Sequence, residues 1–163
     1  MVTRYFLTGF WHLTGQTVKV LIDGALHPDC VVDANGMIEL DSIIGAAATA
    51  NQQAVGLQYN QDIETLPPAW EGIEALGQGK EKNVSKVFAH VVKTTAIKAG
   101  PTFDSLREYP PRTNEDYNTP ARAKSQYIEV PIDPEWDVDA TVCIRNEDPL
   151  PVQITGLVLE LEI

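Results

Sequence analysis

Hydrophobic and polar residues alternate with a period of two in the first part of the 163-residue chain. Residues 17–22 place every second side chain on one apolar face, which is typical of a half-buried strand. Asp23-Gly24 is a turn pair, and Asn35-Gly36 predicts a type I′ hairpin, which needs positive φ at both central residues. With short strands at 30–32 and 37–40, residues 1–40 are predicted to form a β-meander.

The alternation returns in the last third of the chain, most clearly in "PVQITGLVLELEI" at residues 151–163. Residues 84–99 fit both helical and strand spacing, and only their Val and Thr content favours a strand. Gly and Pro turns separate many short predicted strands. This pattern predicts a mainly β fold, an antiparallel β-sandwich or open barrel, as a single domain over residues 1–163. Residues 100–126 hold four prolines and are predicted to form a long loop.

Composition excludes several functional classes. The formal net charge is −11 and the 12 basic residues are scattered, whereas a protein that grips DNA phosphates needs clustered Lys and Arg. No apolar run approaches the roughly 20 residues of a membrane helix, and no signal peptide is evident, so a chain made and kept in the cytoplasm, or assembled there, is expected. Cys30 and Cys143 fit neither a disulfide framework nor a zinc site, and are predicted to be buried thiols.

The tripeptide His27-Pro28-Asp29 is the signature of J-domain co-chaperones, which stimulate the ATPase of a partner. That activity requires amphipathic helices on both sides of the tripeptide. The flanking residues here alternate as strands do, so the tripeptide is predicted to be a turn between strands, with the proline favouring an extended or turn conformation.

Other residues offer weak chemical alternatives. The acidic segment at residues 133–139, "DPEWDVD", could bind calcium, but the alternation equally fits the solvated face of an edge strand. The three histidines belong to no catalytic motif, and no catalytic residue, metal or cofactor is predicted. The three tryptophans could form a sugar-binding platform, or could anchor a core or an interface; they are Trp11, Trp70 and Trp136.

Four segments in order resemble one protein family. They are "HLTGQTVKVLIDGALHP" (12–28), "VGLQYNQDIETLPP" (55–68), "NVSKVFAHVVKTTAIKAGPTFDSLREYP" (83–110) and "DPLPVQITGLVLELEI" (148–163). Together they resemble the C-terminal region of the tail nozzle or tail-stabilisation proteins of short-tailed bacteriophages. Those proteins are typically several times longer, with a large β-rich part upstream.

The resemblance implies a structural virion protein without catalysis or cofactor, assembled in the host cytoplasm and located in the phage tail. It implies a homo-oligomeric ring around the DNA channel, or docking onto one, with other tail proteins as partners. DNA would pass nearby without specific binding, and no membrane is involved. It also favours a strand for residues 84–99.

Under this interpretation, the proline-rich "TLPPAW" segment and the long loop are predicted to form contact surfaces. The alternative is a receptor- or carbohydrate-binding module at the tail tip or fibre. The predicted interface residues are Pro67, Pro68, Trp70, Tyr109 and Tyr117.

Overall fold

The computed structural model describes residues 5–40, 52–69, 79–110 and 120–162. These residues form thirteen strands and one short 3₁₀ helix at Trp11–Leu13, and every strand pair among them is antiparallel. The prediction of a mainly β, antiparallel fold is therefore confirmed. The strands are β1 (Tyr5–Thr8), β2 (Thr17–Ile22), β3 (Ala25–Val31), β4 (Met37–Leu40), β5 (Gln53–Leu57), β6 (Gln61–Glu64), β7 (Lys82–Thr94), β8 (Lys98–Gly100), β9 (Arg107–Glu108), β10 (Lys124–Val130), β11 (Trp136–Asp137), β12 (Cys143–Asn146) and β13 (Ile154–Glu162).

The chain divides into two compact units, a subdivision that the hydrophobic pattern did not indicate. Unit 1 comprises Met1–Tyr59 and Arg112–Ala121, and unit 2 comprises Asn60–Pro111 and Arg122–Ile163. Unit 1 contains a three-stranded sheet in the order β3-β2-β5 and a ribbon of β1 with β4. Alternate apolar residues of β1, β2 and β4, together with Val32 just after β3, form its core: Leu7, Val18, Val20, Ile22, Val32, Ile38 and Leu40.

The two turns of unit 1 differ from each other. Asp23 and Gly24 have φ values of 48° and 80° and join β2 to β3 as a two-residue hairpin loop, which confirms that turn signal. At the second turn only Gly36 has positive φ, at 68°, so the predicted type I′ turn is wrong. Asp33 determines this turn instead, because its Oδ1 accepts hydrogen bonds from the backbone N–H groups of Asn35 and Met37.

The predicted β-meander is correct for the β2–β3 hairpin and wrong beyond it. After the Asp33–Gly36 turn, β4 pairs with β1 and lies outside the β3-β2-β5 sheet. The pairing follows from burial, because Ile38 and Leu40 are both 0% exposed and pack in the same core as Leu7 on β1.

Unit 2 is a sandwich of two sheets. One sheet has β7 at its centre, with β10 and β11 on one side and β13 on the other. The other has the order β6-β12-β8-β9. The thirteen-residue β7 settles residues 84–94 as a strand: Val87, Ala89 and Val91 are all 0% exposed on one face, while Phe88 and His90 lie on the opposite face.

The predicted loop at 100–126 is shorter than expected at both ends. Gly100 belongs to β8, β9 returns to pair with β8, and β10 begins at Lys124; residues 111–119 lie outside the described part. The segment that returns from β8 to β9 requires glycine at position 100, because a Cβ there would lie 1.8 Å from the carbonyl oxygen of Ser105.

Candidate interface

One side of the unit 2 sandwich is closed by side chains that join its two sheets. The Lys124 ammonium at the start of β10 donates a hydrogen bond of 3.0 Å to the hydroxyl of Tyr109, which follows β9, and lies 4.6 Å from its ring centroid. Arg107 on β9 forms an ion pair of 2.7 Å with Asp133, just beyond β10. These contacts bring β9 beside β10, and β6 and β13 therefore lie at the opposite side.

Among the residues that the structure describes, that opposite side is open. The core-facing leucines of β13, Leu157, Leu159 and Leu161, are only half-buried although they pack against the unit 2 core. On β6, Ile63 pairs with the buried Ile144 and so faces the same way, yet it is 51% exposed. Apolar side chains directed toward the core therefore remain in contact with solvent along this side.

The apolar exposure continues into the segment after β6. Leu66 is 87% exposed, Pro67 is exposed and Pro68 is half-buried. Thr65 fixes the beginning of this segment, because its N–H donates to the carbonyl of Val142 and its Oγ1 accepts from the Val142 N–H. Two proline rings then follow without N–H groups, so this backbone cannot continue the β6 ladder.

The structure separates the five predicted interface residues. Pro67 and Pro68 lie in the exposed segment after β6, which is compatible with an interface but does not test it. Tyr109 is half-buried, packs against the unit 2 core and holds the closed side. Trp70 and Tyr117 lie outside the described residues. The sequence indicated β13 as a strand, but nothing in its alternation showed that its core-facing side chains would be poorly covered.

An ion pair fixes β6 to β12. The Arg145 guanidinium donates hydrogen bonds of 2.7 and 2.8 Å to the two carboxylate oxygens of Asp62. The hydrogen bonds from Arg145 lower the pKa of the Asp62 carboxyl, and the same contact raises the pKa of Arg145. The edge strand of the open side is thus held by a bidentate pair as well as by its backbone ladder.

The outer face of the β10-β7-β13 sheet carries an aromatic patch. The rings of Tyr127 and His90 lie with centroids 4.5 Å apart, and Tyr127 is 64% exposed. Thr155 fixes the imidazole, because its hydroxyl contacts His90 Nδ1 and donates to the His90 carbonyl. Phe88 and Val158 occupy the next row of the same face.

The His27-Pro28-Asp29 tripeptide lies within β3, so the predicted turn is wrong. The register of β2 against β3 shifts here, with Pro28 and Asp29 both opposite Lys19, which makes a β-bulge. A bulge tolerates proline because it leaves one ladder position without an N–H. Asp29 forms an ion pair of 2.8 Å with Lys19. His27 is 97% buried, and its Nδ1 lies 2.8 Å from the carbonyl oxygen of Pro28.

The remaining chemical candidates do not converge. Cys143 is buried as predicted. Burial raises the pKa of its thiol, and the nearby negative charge of Glu64 raises it further. Cys30 is only partly buried, so the prediction of a buried thiol is wrong for this residue. The acidic residues after β10 are exposed. Among the residues that the structure describes, no group of three or more His, Cys, Asp or Glu could hold a metal ion.

Comparison with known proteins adds no assignment. No protein-family model matches the chain, and no curated protein matches it either. In the described ranges no helix has the length and hydrophobicity to cross a membrane.

Proposed function

We propose that this chain is a structural protein of a bacteriophage tail, assembling into or docking onto a ring around the DNA channel. One observation carries the proposal: along the open side of unit 2, apolar side chains on β13 and on and after β6 stay half-buried or exposed. A monomer gains little from leaving Leu66 87% exposed and Ile63 51% exposed. Contiguous exposed apolar surface marks interaction sites, and a tail subunit requires such surfaces.

The charge of the chain is compatible with this role. The net charge of −11 would give a channel lined by this protein a repulsive surface toward DNA phosphates, so that DNA slides without adhering. A particle map in which this protein directs positively charged side chains into the channel would reject that part of the proposal.

The first test is location. Purified phage particles should contain the chain at a fixed copy number, and a map of the particle should place it in the tail. A chain that is absent from particles and remains a monomer in solution would contradict the proposal.

A second test uses the apolar surface. Burying a leucine side chain contributes about 1.5–3 kcal/mol, so Leu66→Asp should weaken incorporation into the tail by roughly tenfold or more. Val31→Asp is the matched control, because Val31 is 61% exposed on β3 of unit 1. Equal incorporation of the two variants would exclude the segment after β6 as the contact.

A receptor- or carbohydrate-binding module remains the alternative, favoured by exposed aromatic rings in unit 2. Tyr127 is 64% exposed beside His90, and Trp136 is 54% exposed. Sugars stack on such rings, so glycan binding that disappears with Tyr127→Ala or Trp136→Ala and persists with Val138→Ala would support this function over assembly.

A further inference from the structure

We propose that two copies of this chain pair through the free edges of their β13 strands, antiparallel and centred on Val158. In the described residues β13 pairs with β7 on one side, and no strand pairs with its other edge. A long unpaired edge presents N–H and C=O groups that template another strand. The inference goes beyond the tail assignment, since it requires only this edge and the side chains beside it.

The hydrogen bonds of β13 identify which backbone groups are available. The carbonyl oxygen of Glu160 accepts a hydrogen bond of 3.2 Å from the Ser85 hydroxyl, so it points toward β7. Backbone groups of successive strand residues point to opposite sides. The N–H and C=O groups of Leu157 and Leu159 therefore point away from β7, toward an incoming strand.

The pattern of acidic side chains favours the antiparallel arrangement. When Ile154–Glu162 overlaps fully with itself in antiparallel orientation, Val158 lies opposite Val158 of the second copy. Glu160 then lies opposite Gly156, and Glu162 lies opposite Ile154. A parallel, in-register pair would place each glutamate against its own copy, and like charges directly opposite each other are destabilising.

The same register covers the apolar side chains that the monomer leaves half-exposed. Leu157 lies opposite Leu159 of the second copy on the core-facing side, so two open sandwiches would share one continuous core. The pairing thus buries surface that β6 and β13 do not cover within one chain.

On the outer face, Gly156 leaves space for the opposing carboxylate. A Cβ at Gly156 would meet nothing nearer than His90 Cβ at 4.0 Å, so Glu160 of the second copy can extend over it toward the imidazole. Within its own chain, Glu160 pairs with Lys86 at 3.3 Å. Each Glu160 would then lie between a lysine of its own copy and a histidine of the other.

Net charge opposes the pairing and gives it a salt dependence. Two chains of charge −11 repel at long range, and the screening length falls from about 30 Å at 0.01 M salt to about 8 Å at 0.15 M. Self-association should therefore become tighter as ionic strength rises across this range, when measured by sedimentation equilibrium. A wild-type chain that stays monomeric at both ionic strengths would overturn the proposal.

Cross-linking tests the register directly. Val158 of the two copies would form a non-hydrogen-bonded pair with Cα atoms about 4.5 Å apart, within the range of a disulfide. Val158→Cys should form a disulfide dimer under mild oxidation, with the two position-158 peptides joined. Val138→Cys is the control, since Val138 is also exposed, at 42%, but lies off β13. Equal cross-linking of both variants, or linkage of position 158 to another strand, would overturn the proposal.

Charged substitutions at Val158 test whether the two Val158 side chains lie opposite each other, as distinct from a general effect of surface charge. Val158 is 55% exposed, so Val158→Lys and Val158→Glu should fold normally, as circular dichroism can verify. Each variant alone should self-associate about tenfold more weakly or worse, because like charges meet at the two-fold axis. An equimolar mixture should recover heterodimers. A mixture that stays monomeric, or a lysine variant that dimerises like the wild type, would overturn the pairing, whatever the location of the chain in particles.

Discussion

β10 and β13 flank the same central strand, yet their core-facing side chains are covered to different extents. Ile128 and Val130 on β10 are 4% and 1% exposed, whereas Leu157 and Leu159 on β13 are only half-buried. The difference comes from the facing sheet, because Tyr109 packs against the core that contains Ile128 and Val130 and accepts a hydrogen bond from Lys124 at the start of β10. An alternating sequence is thus enough to form an edge strand. Whether the core-facing side chains of that strand are buried within one chain depends on the residues opposite it in the other sheet.

Two glycine substitutions should give the largest difference in stability loss between the closed and the open side of unit 2. Gly100→Ala places a Cβ 1.8 Å from the Ser105 carbonyl oxygen, so the segment leading to β9 must move and the closed side should be disrupted. We expect a loss of about 3–5 kcal/mol in the free energy of unfolding. Gly156→Ala on β13 meets only His90 Cβ at 4.0 Å and should change stability by less than about 1 kcal/mol. Urea unfolding at low protein concentration measures both, and equal losses would contradict the contrast.

Truncation of core-facing side chains should also destabilise the β10 side more than the β13 side, with smaller losses. Ile128→Ala removes fully buried methyl groups and should cost about 2–4 kcal/mol of unfolding free energy. Leu159→Ala removes a side chain that is still partly solvated, so about half that loss is expected. The comparison should be made by urea unfolding under monomeric conditions. A Leu159→Ala loss as large as that of Ile128→Ala would mean that the β13 side is covered in solution.

Tyr109 offers a finer test of the closed side. Tyr109→Phe keeps the ring beneath Lys124 and removes only the hydroxyl that accepts its hydrogen bond. The free energy of unfolding should fall by about 0.5–1.5 kcal/mol, the usual contribution of one hydrogen bond. If stability is unchanged while incorporation into particles is lost, Tyr109 is an interface residue, as the sequence predicted, and not part of the closure.

The sequence predicted strands better than it predicted their partners. The alternation in β2, β10 and β13 depends on local periodicity, and all three strands form. By contrast, β4 pairs with β1 because Ile38 and Leu40 pack in one core with Leu7, which lies about 30 residues earlier in the chain. Local periodicity carries no information about such a contact. Periodicity alone left β7 ambiguous between helix and strand, and the strand is stabilised by pairing with β10 on one side and β13 on the other.

The candidate interface was predictable only in part. Pro67 and Pro68 mark an exposed segment because proline cannot continue a ladder, and this is a local property. The exposure of Ile63 and Leu159 depends on which strand of the other sheet lies opposite, which is a tertiary property. The HPD tripeptide shows the same limit, since its bulge needs Lys19 across the ladder.

The smallest expected effect concerns the ion pair that holds β6 on the open side. Arg145 lowers the pKa of Asp62 below 3.8 in the folded chain. A carboxyl with a lowered folded pKa adds stability above its unfolded pKa, and this is lost as pH falls through the folded value. NMR titration should show Asp62 ionised below the range of ordinary aspartates, and Arg145→Met should return its pKa toward 3.8. Arg107→Met, on the closed side, should leave the pKa of Asp62 unchanged. If Asp62 titrates alike in all three proteins, the pair does not persist in solution, and β6 is held by its backbone ladder alone.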